Sequence, residues 1–187
     1  MLINKNTAMK RYITLLLTIT CFLGYSQDFT RKGFFNKTKI GILIRTKTNP
    51  EPISTSQLNK SGNGTEISTI NGWYINPKLA IGLGIGVTSY INPTVSFYPV
   101  FTNIHYYFLN QIKTPFVFTN IGYNIEFDSF LKGGLLYEAG LGYNLKIGKK
   151  IALTPEIAYK TQNYREIFFT DEKASLQSFS LGIGILF

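Results

Sequence analysis

Residues 178–187, SFSLGIGILF, alternate large apolar side chains with mostly small ones up to the last residue of the chain. Successive side chains of an extended strand point to opposite faces, so this pattern predicts a β-strand with one strongly apolar face. That face consists of Phe179, Leu181, Ile183, Ile185 and Phe187. An unpaired apolar edge strand templates aggregation. We therefore expect this strand to face lipid and to pair with the first strand of a closed barrel.

Residues 1–26 have the pattern of a secretory signal peptide. Three basic residues precede an apolar run at residues 12–23, no acidic residue occurs, and small residues stand at the last and third-last positions. The run is too short to span a bilayer comfortably. Cys21, the only cysteine, lies in this run, so the mature chain would have no thiol chemistry. We expect a signal peptide at 1–26 and one exported domain at 27–187.

Charge sets limits on the partners of the mature chain. The full sequence has 19 basic and 10 acidic residues, and without the signal peptide the basic count falls to 16, a net charge of +6. The basic residues are scattered, and an exported chain does not meet nucleic acid, so we expect no nucleic-acid partner. Basic residues near lipid headgroups would favour anionic lipopolysaccharide. Solvated loop charges explain them equally well.

Composition and periodicity predict one all-β domain. The chain contains 17 Gly, 12 Tyr and 15 Phe, and turn signals recur roughly every 10 to 15 residues. Segments of about ten alternating residues are long enough to cross a bilayer at a tilt. We therefore predict an eight-stranded antiparallel up-and-down transmembrane β-barrel. Its strands are residues 37–46, 66–75, 79–90, 97–109, 115–126, 134–147, 151–162 and 178–187.

The connections differ in length in a way that suggests an orientation. Those at residues 76–78, 110–114 and 148–150 are short, whereas those at residues 47–65 and 163–174 are long and polar. Barrels of bacterial outer membranes have short periplasmic turns and longer external loops. We therefore expect both chain termini to lie in the periplasm.

The face opposite the aliphatic one is composed of Gly, Ala, Thr and Asn. In a soluble lipid-carrying barrel, apolar side chains point inward and the outer face is charged. Small side chains suit a narrow interior and solvate an exterior poorly, so the aliphatic face should meet lipid. We also expect interfacial girdles of aromatic residues near the strand ends, with plain β-propensity as the alternative. The candidates are Trp73, Tyr74, Tyr90, Phe97, Tyr98, Tyr106, Tyr107 and Tyr159.

Several motifs together carry a family resemblance. They are the signal peptide, PVFTNIHYYF at 99–108, TPFVFTNIGY at 114–123, YEAGLGYNLKIGKKIALTPEIAY at 137–159, and the terminal LGIGILF. With them the chain resembles the small eight-stranded barrels of Gram-negative outer membranes, the OmpA/OmpX-like and porin-family proteins. The resemblance implies the cell outer membrane as location. It also implies a terminal signal for the barrel-assembly machinery, formed by Phe179, Leu181, Ile183, Ile185 and Phe187.

Charged residues on the small, polar face are candidates for a site in the barrel lumen. By strand parity they are Arg45, Glu126, Glu138, Lys146, Glu156 and Lys160. Buried charges persist only when paired, so we predict a salt-bridged plug in which Arg45 pairs with Glu138 and Glu156. Eight strands leave an interior only wide enough for side chains, so the plug should close the barrel. A selective ion path is the alternative.

The sequence does not predict catalysis, a cofactor or a metal. His105 is the only histidine, its neighbours include no serine, and strand parity places it on the inward face as a structural side chain. The alternating glycines at 82–86 precede no helix and so match no phosphate-binding loop. We expect a monomeric, non-catalytic barrel that contributes to envelope integrity or presents surface loops. The alternatives are a narrow porin-like channel, an adhesin acting through residues 47–65 and 163–174, and a soluble lipid carrier.

Overall fold

The computed structural model describes residues 31–49, 62–91, 95–125, 131–148, 151–166 and 173–187. The expected signal peptide and Glu126 lie outside these residues. Eight long strands and one two-residue strand, β6, occur in the described part. They are β1 (Gly33–Asn49), β2 (Gly64–Asn76), β3 (Leu79–Tyr90), β4 (Val95–Tyr107), β5 (Thr114–Ile125), β6 (Leu131–Lys132), β7 (Leu135–Lys146), β8 (Ala152–Glu166) and β9 (Lys173–Leu186).

The eight long strands form a closed antiparallel barrel. Each pairs with its neighbours in chain order, β6 pairs only with the end of β8, and β9 pairs with both β8 and β1. At one end of the β1–β9 seam, the backbone of Phe187 exchanges hydrogen bonds of 2.8 and 2.9 Å with Asn36. In the described part of the chain, closure leaves no long strand with an open edge. The predicted eight-stranded barrel, with its last strand paired to its first, is confirmed.

The barrel is apolar outside and largely polar inside. Among the described residues, 35 large hydrophobic side chains are exposed, whereas only 17 hydrophobic residues are buried. β4 shows the alternation most strictly, with every second residue buried from Val95 to Tyr107. A continuous apolar surface of this extent is much larger than a soluble monomer exposes. The aliphatic faces therefore point outward to lipid, and the alternative of a soluble carrier is wrong.

No helix in the described part of the chain is long and apolar enough to cross a bilayer.

The connections confirm one prediction and correct another. In the predicted turn at 76–78, the Asn76 side-chain oxygen accepts hydrogen bonds from the backbone of Lys78 and Leu79, at 2.8 and 2.9 Å. The expected long loop at 163–174 is wrong, because β8 continues to Glu166 and β9 begins at Lys173. Strands that extend past the apolar band meet water on their outer face. Polar residues there can remain in the sheet, so polarity does not mark the end of the strand.

Half of the expected aromatic girdle lies inside the barrel. Trp73, Tyr98, Tyr106 and Tyr159 are exposed as predicted, but four other aromatic residues are buried: Tyr74, Tyr90, Phe97 and Tyr107. Three of these four are next in sequence to an exposed girdle residue. Consecutive residues of a strand point to opposite faces, so each adjacent pair divides into one outward and one inward ring.

Inward glycines make room for the rings of adjacent strands. A Cβ atom on Gly84 would lie 2.3 Å from Phe101, and one on Gly142 would lie 2.5 Å from Phe116. Gly72 is covered in the same way by Phe35, at 2.5 Å. The alternation of glycine with large aliphatic residues therefore serves both faces, with lipid contact outside and ring packing inside.

We expect Gly84→Ala to lower the free energy of unfolding by about 1–3 kcal/mol, because the Phe101 ring must leave its position in a packed interior. Gly148→Ala is the matched control, since the nearest atom to its Cβ would be 3.7 Å away. Urea unfolding of both variants in detergent micelles measures the difference. Equal stability of the two variants would contradict this packing.

Candidate functional site

Among the described residues, the barrel lumen contains an equal number of buried positive and negative side chains. Three lysines and three glutamates point inward from β1, β2, β7 and β8, each with at most 6% of its surface exposed. They are Lys37, Lys39, Glu66, Glu138, Glu156 and Lys160. An ionised side chain is costly to bury unless it is paired and hydrogen-bonded. The equal number of the two signs makes complete pairing possible.

Four of these residues form a closed ring of alternating charge, which we call the lumen ring. The Lys39 ammonium lies 2.7 Å from Glu66 and 2.8 Å from Glu138. Lys160 bridges the same two carboxylates from the other side, in contact with Glu66 and 3.5 Å from Glu138. The Ser180 hydroxyl adds a hydrogen bond of 2.5 Å to Glu66. Each charge in the ring therefore has two partners of opposite sign.

Two glycines leave space for the lumen ring. A Cβ atom on Gly41 would lie 3.0 Å from the carboxylate of Glu66, and one on Gly182 would lie 3.0 Å from the side chain of Lys39. Both distances are shorter than an ordinary van der Waals contact. The small residues of the inner face thus allow long charged side chains to meet at the barrel axis.

The remaining ion pair joins Lys37 and Glu156, whose charged atoms are 2.6 Å apart. The Lys37 ammonium is also 3.0 Å from Nε2 of His105, and it lies 5.0 Å from the centre of the Phe118 ring. An ammonium group has only donors. Nε2 of His105 must therefore accept this hydrogen bond.

A chain of hydrogen bonds connects this pair to the lumen ring. His105 Nδ1 lies 2.5 Å from the side-chain oxygen of Asn103, whose amide donates to Asn120 at 2.5 Å. Asn120 in turn donates to Glu138 at 2.9 Å. We assign the proton of a neutral His105 to Nδ1, since this tautomer makes every donor and acceptor match. The chain is thus polarised from the ammonium of Lys37 to the carboxylate of Glu138.

Aromatic side chains occupy the lumen on both sides of the charges. At the short-turn end, the Tyr74 ring is 4.9 Å from Phe35 and 6.0 Å from Tyr107, centre to centre. At the other end, Tyr90 packs on Phe97 at 6.2 Å, and the Tyr90 hydroxyl lies 2.9 Å from that of Ser178. Side chains therefore occupy the lumen near both ends as well as at the level of the charges.

The structure places the sequence-predicted lumen residues in different environments. Glu138, Glu156 and Lys160 are buried in the lumen, whereas Arg45 is only half-buried. Lys146 is exposed, because it is the last residue of β7 and lies at the barrel end. Inward parity is therefore not sufficient for burial, since a side chain at the end of a strand reaches water.

The carboxylates of Glu138 and Glu156 form ion pairs with lysines. Glu156 pairs with Lys37, and Glu138 pairs with Lys39 and Lys160. The expected pairing of Arg45 with these two carboxylates stays a prediction.

Sequence reasoning missed Lys37, Lys39 and Glu66. The signal was present, since both lysines share the inward parity of Gly41 and Leu43 on the first predicted strand. Glu66 was the first residue of the second predicted strand, where no inward face was assigned. These three residues supply half of the buried charges. Assigning inward and outward faces along the full length of every predicted strand identifies them.

His105 is buried among aromatic rings, including Phe116 and Phe118 at 5.2 and 5.5 Å. Its two ring nitrogens contact Lys37 and Asn103, as described above. These contacts hold the ring in place and orient one tautomer. Among the residues that the structure describes, no group of three or more His, Cys, Asp or Glu side chains is arranged to hold a metal ion.

Comparison with solved structures shows the fold class. The chain is similar to the crystal structure of Neisserial surface protein A, with a TM-score of 0.61 and 14% identity, covering 82% of this chain and 96% of that one. The fold is that of a small outer-membrane β-barrel. OprG from Pseudomonas aeruginosa gives a TM-score of 0.52 at 11% identity, covering 87% and 99% of the two chains. The outer membrane protein AlkL gives 0.51 at 12% identity, covering 87% and 93%.

No protein-family model matches the sequence, and no curated protein matches it either. The location therefore follows from the structure. The barrel has a lipid-facing apolar surface and the fold of small outer-membrane barrels. A closed barrel of this kind is the β-architecture that spans a bilayer. The chain is an integral protein of the cell outer membrane.

Proposed function

We propose that this outer-membrane barrel is closed to solutes and has no catalytic activity. In this role it contributes to envelope integrity and holds the segments between its strands at the cell surface. The observation that supports the proposal is the lumen ring of Lys39, Glu66, Glu138 and Lys160, in which every charge is neutralised by two neighbours. A charged lumen that conducts ions needs charges that can exchange partners with the ion.

The geometry of the lumen supports closure over conduction. An eight-stranded barrel has an interior just wide enough for its own side chains. Here the charges meet across the axis, and aromatic rings such as Tyr74 and Tyr90 pack on either side of them. A hydrated ion would have to displace both the paired charges and the aromatic rings. The porin-like channel is therefore the weaker alternative.

Biogenesis and lipid contact are further parts of the proposal. Five alternate apolar side chains at the end of the chain are exposed, in the order expected for a signal to the barrel-assembly machinery: Phe179, Leu181, Ile183, Ile185 and Phe187. Among the described residues, every long strand is paired with two neighbours, so none is left open to a second copy, which supports a monomer. Contact with lipopolysaccharide, and an adhesive role of the external segments, stay predictions.

Planar-bilayer recording tests closure directly. We expect the purified wild-type barrel to give no stable unitary current steps in molar potassium chloride, while a known porin under the same conditions does. If wild-type steps occur and Glu66→Gln alters their conductance, the current runs through the lumen and closure is contradicted. Ile42→Ala, a change on the lipid-facing surface, is the matched control.

A further inference from the structure

The two ends of the barrel differ in charge. Three of the four acidic residues in the described part lie in the lumen, and Glu166 lies at the end of β8 away from the short turns. The short-turn end therefore has no described acidic residue, but it has five basic ones. We call them the basic rim: Arg31, Lys32, Lys78, Lys113 and Lys146.

The basic rim surrounds the barrel opening. Its residues come from the segment just before β1, the β2–β3 turn, the β4–β5 connection and the end of β7. The four lysines are exposed. The connection from β7 to β8 adds Lys149 and Lys150 in the sequence, although these two lie outside the described residues. Each short connection thus contributes at least one positive charge.

The opposite end has basic residues accompanied by acidic ones. Its described strand ends contain five basic residues, Arg45, Lys47, Lys132, Arg165 and Lys173, and one acidic residue, Glu166. In the sequence, the connections between these strands add five acidic residues and one basic residue, which lie outside the described residues. The short-turn segments, counted in the sequence from residue 27, have seven basic residues and one acidic residue, Asp28.

Arg31 is held at the barrel opening by contacts with the protein. Its guanidinium lies 4.5 Å from the centre of the Tyr107 ring, and Nη2 donates to the backbone oxygens of Leu109 and, at 2.7 Å, Gln111. Nη1 is buried and has no hydrogen-bond partner among the described residues. Guanidinium groups bind phosphate oxygens well because their donors lie in a fixed plane. Arg31 is thus held in place with donor capacity left over.

The outer surface changes character at the same end. Asn36, whose backbone pairs with Phe187, donates through its side chain to Asn71 at 2.8 Å on the outward face. Trp73, on the same face, is 58% exposed. Indole rings favour the boundary between hydrocarbon and headgroups. This boundary therefore lies close to the basic rim, so lipid phosphates lie near the side chains of the rim.

We propose that the basic rim binds the phosphodiester headgroups of anionic glycerophospholipids in the adjacent leaflet, in preference to zwitterionic phospholipids. A negative lipid surface strengthens the binding of a nearby Lys or Arg by roughly fivefold per residue. Zwitterionic headgroups carry no net charge and attract Lys and Arg side chains much less. With both termini in the periplasm, as the turn lengths predict, this leaflet is the inner one. The proposal does not depend on whether the barrel conducts.

Trp73 provides the measurement, because it is the only tryptophan of the chain and faces lipid beside the basic rim. The full-length mature barrel is reconstituted into phosphatidylcholine vesicles. Either brominated phosphatidylglycerol or brominated phosphatidylcholine is then added as a quencher at equal mole fraction. We expect at least several-fold stronger association of the phosphatidylglycerol, weakening in high salt because exposed charges are screened.

Charge-reversal variants locate the effect. Lys78→Glu should reduce the preference, and Lys32→Glu, Lys78→Glu and Lys113→Glu combined should abolish it. Lys47→Glu is the matched control, as an exposed basic residue at the other end, and it should keep the wild-type preference. The heat-dependent gel shift of each variant verifies that its barrel is closed.

Three results would overturn the proposal. Equal quenching by the two lipids in the wild type would show that the basic rim has no lipid preference. A preference that survives in the folded triple variant would place the binding elsewhere. A preference removed by inorganic phosphate, but not by chloride at the same ionic strength, would identify a site for free phosphate instead of lipid.

Discussion

Replacement of Lys39 by methionine should lower the free energy of unfolding by about 3–5 kcal/mol, the range measured when one member of a buried ion pair is removed. Lys39 is almost fully buried and touches both carboxylates of the lumen ring. Without it, Glu66 and Glu138 share a single ammonium group, that of Lys160. Urea unfolding in lipid vesicles, followed by the fluorescence of Trp73, measures the loss.

A second substitution distinguishes lost pairing from lost packing. Lys39→Met combined with Glu138→Gln leaves the pair of Glu66 and Lys160 with no excess charge, and it should recover at least half of the lost stability. Replacing balanced buried charges by neutral groups is often nearly neutral in free energy. The exposed control Lys47→Met should change stability by less than about 0.5 kcal/mol. Additive effects of the two lumen substitutions would show that the ring residues act independently.

The strand arrangement could be predicted from sequence because each lipid-crossing strand carries its own signal. On β3, Ile81, Leu83 and Ile85 are exposed and alternate with inward glycines, which no helix pattern resembles. A bilayer imposes this alternation on every strand independently. The number and order of strands follow from counting such segments. Closure follows because an open edge cannot exist in hydrocarbon.

The pairing inside the lumen could not be predicted in the same way. Which inward residues share one height depends on the stagger between strands, and a single sequence does not specify that stagger. Lys39 and Glu138 are 99 residues apart in the chain and meet across the axis. Glu138 lies opposite Lys160 on β8 but makes its shorter ion pair with Lys39 on β1. Parity gives the face, whereas the partner depends on how the tilted strands meet across the lumen.

Leu83→Arg should destabilise the barrel in a bilayer by about 2–4 kcal/mol, the cost of a basic residue on the lipid face near the bilayer midplane. Leu83 is 68% exposed and lies near the middle of β3, so the substitution breaks no interior contact. In a water-facing barrel the same change would cost almost nothing. Reversible unfolding in phosphatidylcholine vesicles, compared with wild type, measures the difference.

Ile75→Arg is the control for depth. Ile75 is also exposed, at 59%, but it lies one residue from the end of β2, beside the turn that leads to β3. Near the interface the cost of arginine falls to about 0–1 kcal/mol, because the side chain reaches water and phosphate. A large loss for Leu83→Arg and a small one for Ile75→Arg would place the bilayer across the middle of the strands. Equal small losses would contradict the transmembrane position of this surface.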